Sequence, residues 1–254
     1  MRASPLHAVA FLTRLPVPVA RPDMEHVAAS QPWFAAVGLL IGALIVAVDR
    51  IAMRALPPAP VDVLVVVALV VVTGALHLDG LADAADGLLG GRTPGQRLEI
   101  MRDVHAGTYG VVAIVCVLAL KWAGLAALPA SVRVEALLLA PCLARFAVVV
   151  AATLPYARPE GAGASFRRQA WPWGVAVSGV MAAIASGALL GVGCATVVAF
   201  ATAVPLALGW LALRAAGGVT GDVFGATIEV TEALTLLLIA ALAGRGWLDA
   251  ALLG

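Results

Sequence analysis

Charge is scarce in this chain. Only 12% of its 254 residues are charged, about half the ~25% of a water-soluble domain. Cysteine is scarce too: Cys116, Cys142 and Cys194 each stand alone in an apolar stretch. The missing CxxC spacing excludes a thiolate metal knuckle or a disulfide framework and leaves them as small core residues. A net charge of +1 without any basic run gives no footing for a nucleic-acid partner. The N-terminal apolar run Ala8–Leu12 is too short for a signal peptide, and Arg14 and Pro16 interrupt the residues beyond it; a short interfacial helix is expected there.

What remains is apolar. The chain is 62% hydrophobic, with a mean hydropathy of +1.02, and its apolar residues come in runs such as Val61–Leu76 and Gly107–Leu120. These features predict an all-α, polytopic membrane protein with about seven transmembrane helices, membrane lipid around it and a polar cavity on the cytoplasmic side. A single integral-membrane domain over 1–254 is expected. The spans fall near 33–53, 61–79, 107–128, 134–154, 173–190, 191–213 and 230–249. Gly191 and Gly193 mark the break inside 173–213, and Pro57, Pro58 and Pro60 a tight connection between the first two spans. With the N-terminus in the cytoplasm, ten arginines lie inside (2, 14, 21, 92, 97, 102, 158, 167, 168 and 214) and four outside (50, 54, 133 and 245), in keeping with the positive-inside rule. That alternation puts the Leu76–Gly110 stretch, the Tyr156–Arg168 loop and the Gly217–Glu232 segment on one face.

Five of the fifteen acidic residues lie between Leu76 and Gly110: Asp79, Asp83, Asp86, Glu99 and Asp103. The first three are spaced i, i+4, i+7, which on a helix confines them to roughly a 60° arc. Like charges so close repel unless a cation sits among them, and carboxylate oxygens select Mg²⁺ or Mn²⁺ over zinc. Three acids in hydrocarbon would cost about 8–10 kcal/mol, so they are expected at the cytoplasmic end of the second span. The glycines around them, Gly80, Gly87, Gly90 and Gly91, suit close backbone approach. An ordinary solvated helix end is the bland alternative.

Arg97 and Arg102 are spaced to clamp phosphates, with Glu99 and Asp103 at i, i+4 as further ligands or salt-bridge partners. His105 is a possible general base, or a structural histidine. Two basic residues lie within spans: Lys121, expected to snorkel, and Arg145, expected to contact substrate phosphate or one of the aspartates. Arg158 and Glu160 precede Arg167-Arg168, a topology anchor. A second acidic set, Asp222, Glu229 and Glu232 at i, i+7, i+10, follows a glycine-rich approach containing Thr220. Two acidic faces on one cavity suggest metal-assisted phosphoryl or nucleotidyl transfer. The metal ligands expected from both sets are Asp79, Asp83, Asp86, Asp222 and Glu229.

HLDGLADAADGLLGG, RLEIMRD followed by GTYG, YARPEG and GGVTGDVFGATIEVTE, in this order and after FLTRLPVP and WFAAVGLLIGAL, resemble the cobalamin synthase (adenosylcobinamide-GDP ribazoletransferase) family from Phe11 to about Glu232. The resemblance implies a bacterial inner-membrane enzyme using Mg²⁺, in which α-ribazole or its 5′-phosphate attacks adenosylcobinamide-GDP and GMP leaves. Its partners would be those substrates and other enzymes assembling the nucleotide loop. Under it, Asp79, Asp83 and Asp86 hold metal, and Arg97, Arg102, Arg145, Arg158, His105 and Thr220 bind substrate. Asp103 or Asp86 takes the attacking hydroxyl's proton. The chemistry is similar to that of CDP-alcohol phosphatidyltransferases, but their signature carries Ala-Arg where this chain has Asp83-Ala84, so no metal assignment transfers from them. The rival readings are another metal-dependent transferase acting on a lipid diphosphate, and a cation-coupled transporter. The latter predicts acids spread through several spans at midplane, often in paired half-repeats, whereas here they gather at span ends.

Overall fold

The computed structural model of the chain describes residues 4–19, 23–158, 166 and 173–248. All regular elements among the described residues are helices; the single β-contact is an isolated parallel bridge between Tyr156 and Val219. Two short helices come first, α1 (Pro5–Leu12) and α2 (Met24–Ala29). Proline opens α1, where its missing N–H costs nothing. Asp23 caps α2 by accepting the Glu25 and His26 N–H groups at 3.1 and 2.9 Å. The short N-terminal helix is therefore present, with Ala8, Val9 and Leu12 buried in its packing on α2 and α3.

The bundle consists of α3 (Phe34–Ala52), α4 (Pro58–Thr73), α5 (Leu76–Gly90), α6 (Pro94–Ile100), α7 (Thr108–Ala127), α8 (Arg133–Ala151), α9 (Gly174–Leu190), α10 (Cys194–Ala216) and α11 (Gly221–Ala243). Five stretches are long and apolar enough to cross a membrane, and α4 with α5 forms a sixth, bent candidate. One of the five, Gly174–Ala216, has 43 residues, about twice what a ~30 Å hydrocarbon layer requires. It breaks where expected, at the turn Gly191–Gly193 with Gly191 at φ 53°. Its halves α9 and α10 pack on each other and both on α8, so they double back. Counted this way, the crossings approach the seven expected.

The central post is α8: 89% of its crossing window is buried inside the protein, against 22% for the α9–α10 stretch, which faces outward. Gly38 and Gly42, one turn apart on α3, let that helix lie against α8; a Cβ on Gly42 would sit 2.7 Å from Leu138 Cα. Such small-residue contacts replace the hydrophobic drive that lipid removes. At one end of the bundle, Arg133 bonds Asp49 at 2.8 Å and Asp62 at 2.6 Å, tying α8 to α3 and α4. The isolated cysteines divide: Cys142 is buried as expected, but Cys116 is exposed and Cys194 half-buried, and all three are free.

Two expectations need correction. The 61–79 segment is not one helix. α4 ends at Thr73, Gly74 and Ala75 take left-handed conformations (φ 65° and 59°), and α5 leaves at 91° to α4. The Arg14 side chain lies over Gly74, where a Cβ would collide with it, and the Arg14 N–H donates to Val72 O at 2.8 Å. Asp79, Asp83 and Asp86 therefore ride on a separate helix and not on the end of the second span. The last helix, in turn, begins at Gly221, ahead of the expected 230, because Thr220 Oγ1 caps it by accepting the Val223 N–H at 3.3 Å. This puts Asp222 and Glu229 on the helix itself.

Candidate active site

Helices α5 and α11 meet backbone to backbone. A Cβ on Gly80 would lie 3.1 Å from Asp222 O and 3.2 Å from Gly225 Cα, and one on Gly225 only 2.9 Å from His77 O. This approach sets Asp79 and Asp83 beside Asp222. Asp83 is within electrostatic reach of Asp79, Asp222 and Asp86, and Asp222 of Asp79. Asp79 is exposed, and Asp83 and Asp222 are half-buried. Neither Asp79 nor Asp83 has a hydrogen-bond or ion-pair partner among the described residues. Asp222 accepts from the Thr220 hydroxyl at 3.1 Å and pairs with Arg158 at 3.3 Å. Arg158 also donates to Leu98 O at 3.4 Å, while its Nε has no partner among the described residues. Its loop is fixed by the Ala157 N–H to Val219 O and Val219 N–H to Pro155 O bonds, 2.9 and 2.8 Å. Three segments far apart in sequence thus converge, as the charge alternation predicted.

Asp86 shares the α5 face but has a different occupation. It is buried, and its carboxylate accepts the Gly107 N–H at 2.7 Å and the Gly110 N–H at 2.9 Å. Both donors belong to the first turn of α7, whose N-terminus favours a negative charge. A Cβ at either glycine would run into that carboxylate. As it stands, Asp86 is a helix cap and its oxygens are engaged.

Several other expected site residues are bonded elsewhere or exposed. Arg97 donates to Gly91 O at 2.9 Å and to Ala215 O at 2.7 Å, clamping backbone of α10 and the end of α5 in place of a phosphate. Arg102 is exposed. Asp103 and His105 form an exposed pair at 2.7 Å; the His105 hydrogen bonds hold the Asp103 carboxyl below its usual range, which makes it a poor proton acceptor. Glu99 and Asp103 line a shallow outer groove with Gly90, Gly91, Arg92 and Gln96. Glu160 and the Arg167-Arg168 anchor lie outside the described residues.

Deeper in the bundle lies a second charged cluster. Lys121 bonds Glu229 at 2.7 Å and also Glu232, and Arg145 bonds Glu232 from the other side. Lys121 is 2% exposed and Arg145 0%. Lys121 therefore does not snorkel. Arg145 bonds a glutamate and not one of the aspartates, and Glu229 is neutralised by an ammonium group. Two cations and two carboxylates cancel inside the span region, as buried charges must.

Between the two clusters sits His77, a residue the spacing argument passed over. It is buried, and neither ring nitrogen has a hydrogen-bond partner among the described residues. Its only signal was a polar side chain in an apolar run two residues before Asp79. His77, Asp79 and Asp222 line a cavity of about 230 Å³ whose remaining wall includes Phe11, Phe34, Val148, Phe166, Phe224 and Ile228.

The acidic cluster suits a hard divalent cation in donor chemistry: unpartnered carboxylates from Asp79 and Asp83 approach a third on Asp222. Among the described residues no three acidic, His or Cys side chains converge closely enough to hold an ion by themselves. Magnesium is commonly held by one or two carboxylates together with substrate phosphates, and this donor set matches that pattern.

The chain matches the cobalamin-5-phosphate synthase family over residues 4–240. It is 39% identical to an adenosylcobinamide-GDP ribazoletransferase of Geotalea daltonii over 245 residues, 94% of this chain and 97% of that protein. It is 41% identical to one of Bradyrhizobium diazoefficiens (92% of this chain, 91% of that protein) and 38% identical to one of Chlorobaculum tepidum (92% and 93%). No solved structure matches it. With its length covered almost end to end by the family and by these relatives, the chain belongs to the cobalamin-5-phosphate synthase family.

Proposed function

We propose that this chain is an adenosylcobinamide-GDP ribazoletransferase. A hydroxyl of α-ribazole, or of its 5′-phosphate, attacks the phosphorus on the cobinamide side of the diphosphate. One O–P bond forms, the bond to GMP breaks, and adenosylcobalamin or its 5′-phosphate results. The observation that carries this reading is the meeting of Asp79, Asp83 and Asp222 across the Gly80–Gly225 contact in a chain of this family.

Asp79 and Asp83, with Asp222, would hold Mg²⁺. When bound, the ion supplies charge neutralisation for a diphosphate and its leaving group. Arg158, anchored through Leu98 O and Asp222, presents a guanidinium group with unused donor capacity to phosphate oxygens. Thr220 fixes the Asp222 carboxylate through its hydroxyl. Catalysis here is positioning and electrostatics, as in phosphoryl transfer generally. Asp86, by capping α7, fixes that helix to α5. The arginine distribution supports a cytoplasmic active face in a bacterial inner membrane.

The test is GMP release from adenosylcobinamide-GDP by the purified, detergent-solubilised protein with Mg²⁺, with and without α-ribazole. Release that depends on α-ribazole and is lost in Asp83→Asn is the expected result. Ribazole-independent release, or none, would overturn the reading.

A further inference from the structure

We propose that the cavity beside the acidic cluster is the subsite for the flat, neutral aromatic base of the ribazole nucleophile. This rests on the ribazoletransferase reading above and adds where the nucleophile sits. The rings of Phe11, Phe34, Phe166 and Phe224 make a connected aromatic wall: centroids are 6.3 Å apart for Phe11–Phe34, 6.0 Å for Phe34–Phe166 and 5.5 Å for Phe166–Phe224. Val148 and Ile228 complete the apolar lining of about 230 Å³. Ring faces of this kind attract a planar guest by offset or edge contact.

His77 gives the cavity its specificity. It is 4% exposed, lines the cavity and leaves both ring nitrogens without a partner among the described residues. Buried polar atoms in folded proteins are normally bonded. A neutral imidazole offers one N–H and one lone pair, so a base with an unsubstituted ring nitrogen satisfies it by accepting the N–H. Asp79 and Asp222 share the lining, so a base seated within lies beside the carboxylates where phosphoryl transfer is assigned. A lipid acyl chain would leave the imidazole unsatisfied.

The test uses the purified wild-type protein with benzimidazole, a flat base with an unsubstituted ring nitrogen, and indole, which lacks that acceptor. Benzimidazole is expected to compete with α-ribazole and not with adenosylcobinamide-GDP, and indole to inhibit about tenfold more weakly, the value of one hydrogen bond. His77→Leu should erase the preference for benzimidazole over indole. Val148→Phe, which fills the cavity, should raise KM for α-ribazole at least about tenfold and leave KM for adenosylcobinamide-GDP within about twofold. Competition against adenosylcobinamide-GDP, no competition at all, or equal shifts in both KM values would overturn the proposal. If the wild-type protein releases no GMP, the functional reading fails by itself. Equilibrium dialysis of benzimidazole into wild type and Val148→Phe then decides the cavity: binding lost in the variant upholds an aromatic-base site, and equal or absent binding overturns it.

Discussion

The Asp86 carboxylate accepts the Gly107 backbone N–H at 2.7 Å, so one of three acids spaced alike on α5 is a helix cap. With the Gly110 N–H at 2.9 Å as well, it ties the start of α7 to α5. Asp86→Ala should cost about 1–2 kcal/mol of stability, as loss of a cap does, because both the Gly107 and Gly110 N–H groups lose their acceptor. Denaturant unfolding in detergent reads this. An Asp86→Ala protein as stable as wild type would remove the capping role.

The opposite pattern is expected at Asp79, Asp83 and Asp222. Each Asn variant should lower GMP release by at least about 100-fold, the scale of a lost electrostatic contact to a transition state. Asp83→Asn should leave the unfolding midpoint unchanged or raised, because it relieves repulsion from Asp79, Asp222 and Asp86. Joint loss of activity and stability would point to a structural role instead.

Removing divalent cations by chelation should stop turnover, and Mg²⁺ or Mn²⁺ should restore it, as carboxylate donors predict. Full activity in excess chelator would count decisively against a metal at this cluster.

Lys121→Met should destabilise by about 3–5 kcal/mol, because it leaves Glu229 and Glu232 short of a buried cation. Adding Glu229→Gln to that variant should recover part of the loss. Thermal unfolding of the two variants in a double-mutant comparison measures the coupling.

Asp103→Asn should leave GMP release within about twofold of wild type near neutral pH. The exposed Asp103–His105 pair stands apart from the acidic cluster, and its carboxylate is held ionised by the His105 hydrogen bonds. A large loss would reinstate Asp103 as a proton acceptor.

Much of the fold was legible along the chain. Apolar runs marked the crossings, Gly191 and Gly193 the hairpin break, and the i, i+4, i+7 spacing put three aspartates on one helix. The elbow was not legible: Gly74 and the left-handed Ala75 lie in an apolar run that reads as uninterrupted helix. Nor did spacing distinguish Asp86 from Asp83, because the donors that occupy Asp86 come from α7, 21 and 24 residues on. Lys121 and Arg145 looked like isolated charges for the same reason, since their glutamates lie in the last helix. Local pattern fixes a helix and its faces, whereas the partner of each face is a tertiary fact.

The Lys121–Glu229 and Arg145–Glu232 pairs span 108 and 87 residues of sequence, a separation that matters during biogenesis. At about 5–20 residues per second of translation, each base leaves the ribosome roughly 4–20 s before its acid. α7 and α8 therefore enter the lipid carrying uncompensated positive charge, and only the arrival of α11 discharges it.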